Sequence, residues 1–123
     1  MKTLFVFAMQ DERASVTSRQ EEVVYDDNVY YLKTGIGKVN AASSLTKFLE
    51  NHDIDQIINI GLAGSVSNHD VLDVVIIKQA YFHDVDATLF GYPKYQVPGM
   101  PLTYESDPQL LETCKKISFQ SID

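Results

Sequence analysis

The chain of 123 residues carries seventeen acidic and ten basic side chains, a formal net charge of -7, with 45% hydrophobic and 22% charged residues. That balance suits one globular domain with one core; it repels polyphosphate, and with no basic run to reverse it locally, nucleic acid is excluded as a partner. Cys114 is the only cysteine, so no internal disulfide can form and a reducing, cytoplasmic setting is expected.

Met1 to Met9 is apolar but brief, contains Lys2 and no small-residue cleavage site, and runs straight into Gln10, Asp11, Glu12 and Arg13. It reads as a first strand and not as a signal peptide. Within it, Thr3 to Ala8 (TLFVFA) is continuously apolar, the pattern of a strand buried on both faces. Polar residues from Gln10 to Gln20 predict a helix with Ala14 and Val16 turned inward. Val23 to Tyr25 and Val29 to Lys33 flank Asp26-Asp27-Asn28, which predicts a β-hairpin; Gly35 and Gly37 then break the second strand.

From Lys38 to Glu50 the apolar residues Val39, Ala42, Leu45 and Leu49 recur every three or four positions, which predicts a helix with that stripe inward. Ile57 to Ile60 is a short buried strand leading into Gly61-Leu62-Ala63-Gly64, and the order strand, helix, strand predicts an α/β domain. Val71 to Tyr81 reads as another long strand. Its apolar core, Val71 to Ile77, contains Asp73 and is far below the roughly 20 residues a membrane helix needs, so no membrane association is expected. His83 to Pro101, with three prolines, reads as an ordered loop. Asp107-Pro108 opens a last helix, because aspartate caps well and proline suits the first helical position.

Several residue groups invite chemistry. Glu12 follows the carboxyl end of the first strand, where α/β sheets place ligands, and a carboxylate there can act as a general base toward water. An acid in the first turn of a helix also simply complements the dipole, and for Asp11 that is the whole explanation. Thr34-Gly35-Ile36-Gly37-Lys38 turns from strand to helix but lacks the spacing and the Lys-Ser/Thr pair of a phosphate loop; glycine there reflects backbone geometry. Gly61 to Gly64 allows a flat ring to approach the backbone, and a tight turn explains it equally well. His83-Asp84-Val85-Asp86 offers metal-ligand types in one short segment with no second cluster, which favours a hydrogen-bond network over a metal site. Cys114 beside Lys115 and Lys116 reads as an ordinary helix residue.

Taken together, Ala8-Met9-Gln10-Asp11-Glu12, TGIGKVNAA at Thr34 to Ala42, IINIGLAGS at Ile57 to Ser65 and HDVDATLFGYPKYQVPGMP at His83 to Pro101 resemble, in order and spacing, the bacterial 5′-methylthioadenosine/S-adenosylhomocysteine nucleosidases of the nucleoside phosphorylase superfamily. The resemblance covers essentially the whole chain. It implies a mixed, partly barrel-like central sheet flanked by helices, incomplete at its C-terminal side, so that residues 1–123 form the amino-terminal portion of a single nucleosidase domain. It also implies hydrolysis of the bond between adenine and a 5′-thio-substituted ribose, with no cofactor and no metal. The family's water-activating glutamate falls on Glu12. Ala8, Met9 and Ile36 match pocket-lining positions, Ala63 and Gly64 match backbone lying against the nucleoside, and Phe90 and Pro98 match residues that cross a homodimer interface. Leu62 stands where a small hydroxyl residue is more usual, and Gln10 replaces a common acid.

By the same resemblance, the acid that protonates the purine, the glutamate that grips the ribose and the aromatic that stacks on adenine belong to a second half. The chain alone is therefore expected to be inactive, since an acid and a base acting as a unit do not leave half the rate when one is removed. Pairing with a complementary C-terminal fragment, or homodimerisation, is the expected association. Two alternatives stay open: a purine nucleoside phosphorylase, disfavoured because no arginine follows Arg19 and a phosphate dianion wants one, and a non-catalytic fragment that only binds nucleoside or a partner chain.

Overall fold

The computed structural model describes residues 1–14, 23–117 and 120–122, in two units, Met1–Gly64 and Ser65–Asp123. The first unit is built on a four-stranded sheet in the order β2-β3-β1-β4. Here β1 is Thr3–Phe7, β2 Val23–Asp26, β3 Val29–Lys33 and β4 Gln56–Asn59. β1 runs parallel to both β3 and β4, and β2 pairs antiparallel with β3, so the sheet is mixed. The hairpin forms as expected: Asp27 and Asn28 both take positive φ, 43° and 66°, the two-residue turn whose twist matches its flanking strands.

Helix α2, Lys38–Asn51, closes one face of this sheet. The core is Leu4, Val6, Leu32 and Phe48, with Tyr30, Leu45 and Ile54 packed around it. Of the stripe predicted to face inward, Leu45 does so and the other three residues are corrected. Val39 is 82% exposed and Leu49 and Ala42 are also exposed, while Leu45 and Phe48 turn in. Phe48 wins because its ring has partners: it stacks on His52 at 4.1 Å and meets Tyr30 edge-on at 5.5 Å, contacts a smaller aliphatic side chain cannot make.

Two further corrections belong to this unit. In α1, Gln10–Ala14, Ala14 is exposed and the fully buried side chain is Arg13, whose Nη2 donates to Gln10 Oε1 at 2.8 Å; Val16 lies outside the described residues. β4 stands at the edge of the described sheet, so Ile57 is partly exposed where a short buried strand is expected from the sequence.

In the second unit, β5 (Val75–Ile77) pairs in parallel with β8 (Gln120–Ile122), and β6 (Gln79–Ala80) pairs antiparallel with β7 (Tyr104–Glu105). The single strand predicted over Val71 to Tyr81 is therefore broken: Val71 and Leu72 form a turn, Leu72 takes φ 76°, and only two short pieces enter ladders. The His83 to Pro101 loop is ordered by local bonds. Asp86 Oδ1 accepts from Thr88 Oγ1 at 2.7 Å and Thr88 N at 3.1 Å, starting a short 3-10 turn over Thr88–Phe90 that Gly91 ends at φ 86°. Tyr95 N donates to Val85 O at 2.8 Å and the rings of Tyr81 and Tyr95 lie 5.3 Å apart. Helix α3, Pro108–Lys115, is capped as expected, Asp107 Oδ1 accepting from Leu110 N at 2.9 Å. Among the described residues, no helix is long and apolar enough to cross a membrane.

Candidate active site

In the first unit the parallel strands, taken along the chain as β1, β3 and β4, lie in the spatial order β3-β1-β4. The chain leaves β1 to one side and then crosses by α2 to the other, so the strand order reverses between β1 and β4. A crevice outside the carboxyl ends of the strands at such a switch point is where open α/β sheets hold ligands.

Glu12 occupies that point. It is the third residue of α1, and its side chain folds back so that Oε2 accepts from Ala8 N and Met9 N, both at 3.0 Å. Its other oxygen, Oε1, accepts from Leu62 N at 3.0 Å, across fifty residues of sequence. The carboxylate thus joins the turn that leaves β1 to the turn that leaves β4. The first pair of bonds is what a glutamate capping its own helix makes. The Leu62 bond is not; a cap has no need to reach a second strand end. Glu12 therefore caps its own helix and also ties that helix to the end of β4.

The Gly61 turn passes very close to this carboxylate: a Cβ placed on Gly61 would sit 3.0 Å from Glu12 Oε1. The group that approaches the backbone at Gly61 is this carboxylate, while a Cβ on Gly64 would meet nothing within 4 Å. The absence of a hydroxyl at Leu62 leaves this contact intact, because the backbone N–H makes the bond while the Leu62 side chain is exposed.

The Thr34 to Lys38 turn is tied to the same strand ends. Thr34, buried, donates its N–H to Phe7 O at 2.9 Å, its hydroxyl has Gly35 O at 2.9 Å and Phe7 O at 3.3 Å as acceptors, and Ser44 Oγ of α2 donates to Thr34 O at 3.0 Å. Gly35 and Gly37 take φ 89° and 94°, which lets the chain turn into α2 immediately; Ile36 between them is exposed, its carbonyl held by Asn40 Nδ2 at 2.8 Å.

Of the residues singled out from sequence, Glu12, Ala8 and Met9 are brought together by direct hydrogen bonds. Ile36, Ala63 and Gly64 are exposed on turns of the same unit. Phe90 and Pro98 belong to the second unit and are exposed there, Phe90 at 77%. Asp86 is spent on the 3-10 turn: the Thr88 hydroxyl and then the Thr88 N–H, with the charge of Lys94, hold its carboxyl below the usual aspartate range. Sequence reasoning did not find Thr34 or the tight spot at Gly61. A threonine before a glycine pair was the only signal for the first, and for the second there was none short of knowing which side chain crosses to it.

Residues 16–122 match the family model described as the phosphorylase superfamily. A 5′-methylthioadenosine/S-adenosylhomocysteine nucleosidase of Geobacillus sp. is 39% identical over all of this chain and 60% of its own length. Among solved structures, the nucleosidase of Streptococcus pneumoniae in complex with 8-aminoadenine superposes with a TM-score of 0.86 at 29% identity, covering 98% of this chain and 60% of that one. The Neisseria meningitidis nucleosidase in complex with methylthio-immucillin-A gives 0.82 at 31% identity, covering 98% and 62%. The chain thus spans about 60% of the length of the relatives it matches.

Proposed function

The chain belongs to the phosphorylase superfamily, and from that premise we propose that it carries the water-activating part of an N-glycosidic hydrolase acting on 5′-methylthioadenosine and S-adenosylhomocysteine. The observation that carries this reading is Glu12, its carboxylate fixed by three backbone N–H groups at the switch point between β1 and β4. A carboxylate held there has the position and the acceptor character of a general base.

In the proposed reaction, water attacks the anomeric carbon of an oxocarbenium-like ribose, as in glycoside hydrolysis. Its proton passes to Glu12, the new carbon–oxygen bond replaces the bond to adenine, and the departing purine nitrogen takes a proton from an acid. Ala8, Met9, Ile36, Ala63 and Gly64 line the nucleoside pocket, and Phe90 and Pro98 wall the 5′-thio end of a partner's pocket in a homodimer. The purine-protonating acid and the adenine-stacking aromatic come from the part of the relatives' length that this chain does not span. No cofactor or metal takes part.

Water is favoured over phosphate as the nucleophile by charge. Arg13 is fully buried and donates to Gln10, so it is not presented to a dianion, and the net charge of -7 opposes one. The test is adenine release from methylthioadenosine, measured for this chain alone and mixed with a polypeptide covering the remainder of the Geobacillus relative. Expected are no release alone, phosphate-independent release from the pair, and a loss of about 10²–10⁴-fold on Glu12→Gln. Release that requires phosphate, or that survives Glu12→Gln, overturns the proposal; a pair that binds substrate yet releases nothing makes the chain a non-catalytic binding fragment.

A further inference from the structure

We propose that Gly61 is a positioning residue, its missing side chain being what allows Glu12 to bridge the ends of β1 and β4. The inference deepens the hydrolase reading and rests on it only for its kinetic consequence. Glycine is required at a site for one of two reasons: a backbone conformation other residues avoid, or a close neighbour that leaves no room for Cβ. The first does not apply. The glycines with left-handed φ are Gly35, Gly37, Gly91 and Gly99, and Gly61 is not among them. The second does, and with one neighbour: the three atoms nearest a Gly61 Cβ would all belong to the Glu12 carboxyl group, Oε1 at 3.0 Å, Cδ at 3.6 Å and Oε2 at 3.9 Å.

A flexible surface glutamate would swing aside from such a methyl group. This one cannot do so freely, because its two oxygens are held by Ala8 N, Met9 N and Leu62 N, each at 3.0 Å. Retreat from Gly61 lengthens the bond to Leu62, the neighbouring residue of the same turn. The same turn supplies a contrast: a Cβ on Gly64 would meet nothing within 4 Å. The gap at Gly61 is therefore specific to the carboxylate.

The test is a double-mutant cycle on the full chain with Gly61→Ala and Glu12→Ala, read by melting temperature and by the amide proton resonances of Ala8, Met9 and Leu62. Gly61→Ala is expected to lower the melting temperature when Glu12 is present and to leave it unchanged, or raise it, in the Glu12→Ala background. It should also shift the Leu62 amide resonance, whereas Gly64→Ala leaves that resonance in place. An unfolded Gly61→Ala chain that regains its fold on adding Glu12→Ala supports the proposal equally. Equal destabilisation in both backgrounds, loss of folding in both, or an unshifted Leu62 amide overturns it. In the complemented enzyme, Gly61→Ala should lower kcat by about 10- to 100-fold with KM little changed, since misplacing a reacting group by a fraction of an ångström acts on the chemical step. A positive cycle without turnover in any assay leaves the positioning role standing and removes only the hydrolase reading.

Discussion

Replacing Glu12 by glutamine should destabilise the chain, and the direction matters more than the size. The carboxylate accepts three backbone N–H bonds with two oxygens. A glutamine has one acceptor oxygen. If that oxygen stays with Ala8 and Met9, the NH₂ group is turned on the N–H of Leu62, donor against donor; the reverse rotamer strands two donors instead of one. A lost bond to a charged acceptor is worth about 1.5–3 kcal/mol, and converting the two retained bonds from charged to neutral removes about 0.5 kcal/mol each. Glu12 is half-buried and the Leu62 contact is exposed, so water replaces part of the loss, and about 2 kcal/mol is expected. At a urea m-value of about 2 kcal/mol per M, the unfolding midpoint falls by about 1 M, and exchange of the Leu62 amide accelerates. Catalytic groups held in strain show the opposite sign, gaining stability when neutralised. A Glu12→Gln chain as stable as its parent, or more so, would refute the bridge between the two turns.

The orientation of α2 is testable on the two stripes of its own sequence: Phe48→Ala should cost about 3–4 kcal/mol by emptying the core, whereas Val39→Ser, on the exposed side, should change urea stability by less than about 0.5 kcal/mol. Leu72 combines φ 76° with 94% exposure, so Leu72→Asn loses no packing and relieves backbone strain; melting of the variant should show a gain of about 1 kcal/mol. For Asp86 the folded carboxyl titrates below its ordinary range, so its contribution is present above the unfolded pKa and lost as pH falls through the folded one. Asp86→Asn should therefore narrow the stability difference between neutral and acid pH, with the two proteins converging at the acid end of a melting-temperature series; curves that stay parallel would argue against the Thr88 bonds.

What the sequence could reveal was set by how local each determinant is. The β1 strand, the Asp27-Asn28 turn and the Asp107 cap depend on residues within a few positions of one another, and all three form where the residue types place them. On α2 the spacing places Leu45 inward, as the structure has it, but not Phe48, because two apolar stripes overlap on that helix and spacing alone does not say which one meets a partner. The stripe through Leu45 and Phe48 wins through Tyr30 and His52, and Tyr30 lies on a strand earlier in the chain. The Val71 to Tyr81 run reads as one strand because apolar composition does not record a left-handed φ at Leu72. Gly61 was legible only as a turn, since the group that needs its empty space is forty-nine residues away.

On the sequence, complementing the helix dipole and the proposed general-base role compete as explanations of Glu12; in the structure, the bonds to its own helix start also set where the carboxylate points. A glutamate in the third position of a helix folds back on the amides that precede it whether or not any reaction follows, and that alone fixes Oε2 against Ala8 and Met9. Once Oε2 is fixed, Oε1 is delivered to the end of β4, where Leu62 N meets it and Gly61 makes room. Each device is ordinary, and all of them meet on one carboxylate at the strand-order switch point. Both turns, moreover, follow strands paired in a parallel ladder from Thr3 to Val6 against Gln56 to Asn59. All three groups that hold Glu12 belong to the first unit, so on the proposed reading its placement does not depend on a complementary chain, and the Leu62 amide resonance should be the same before and after one is added.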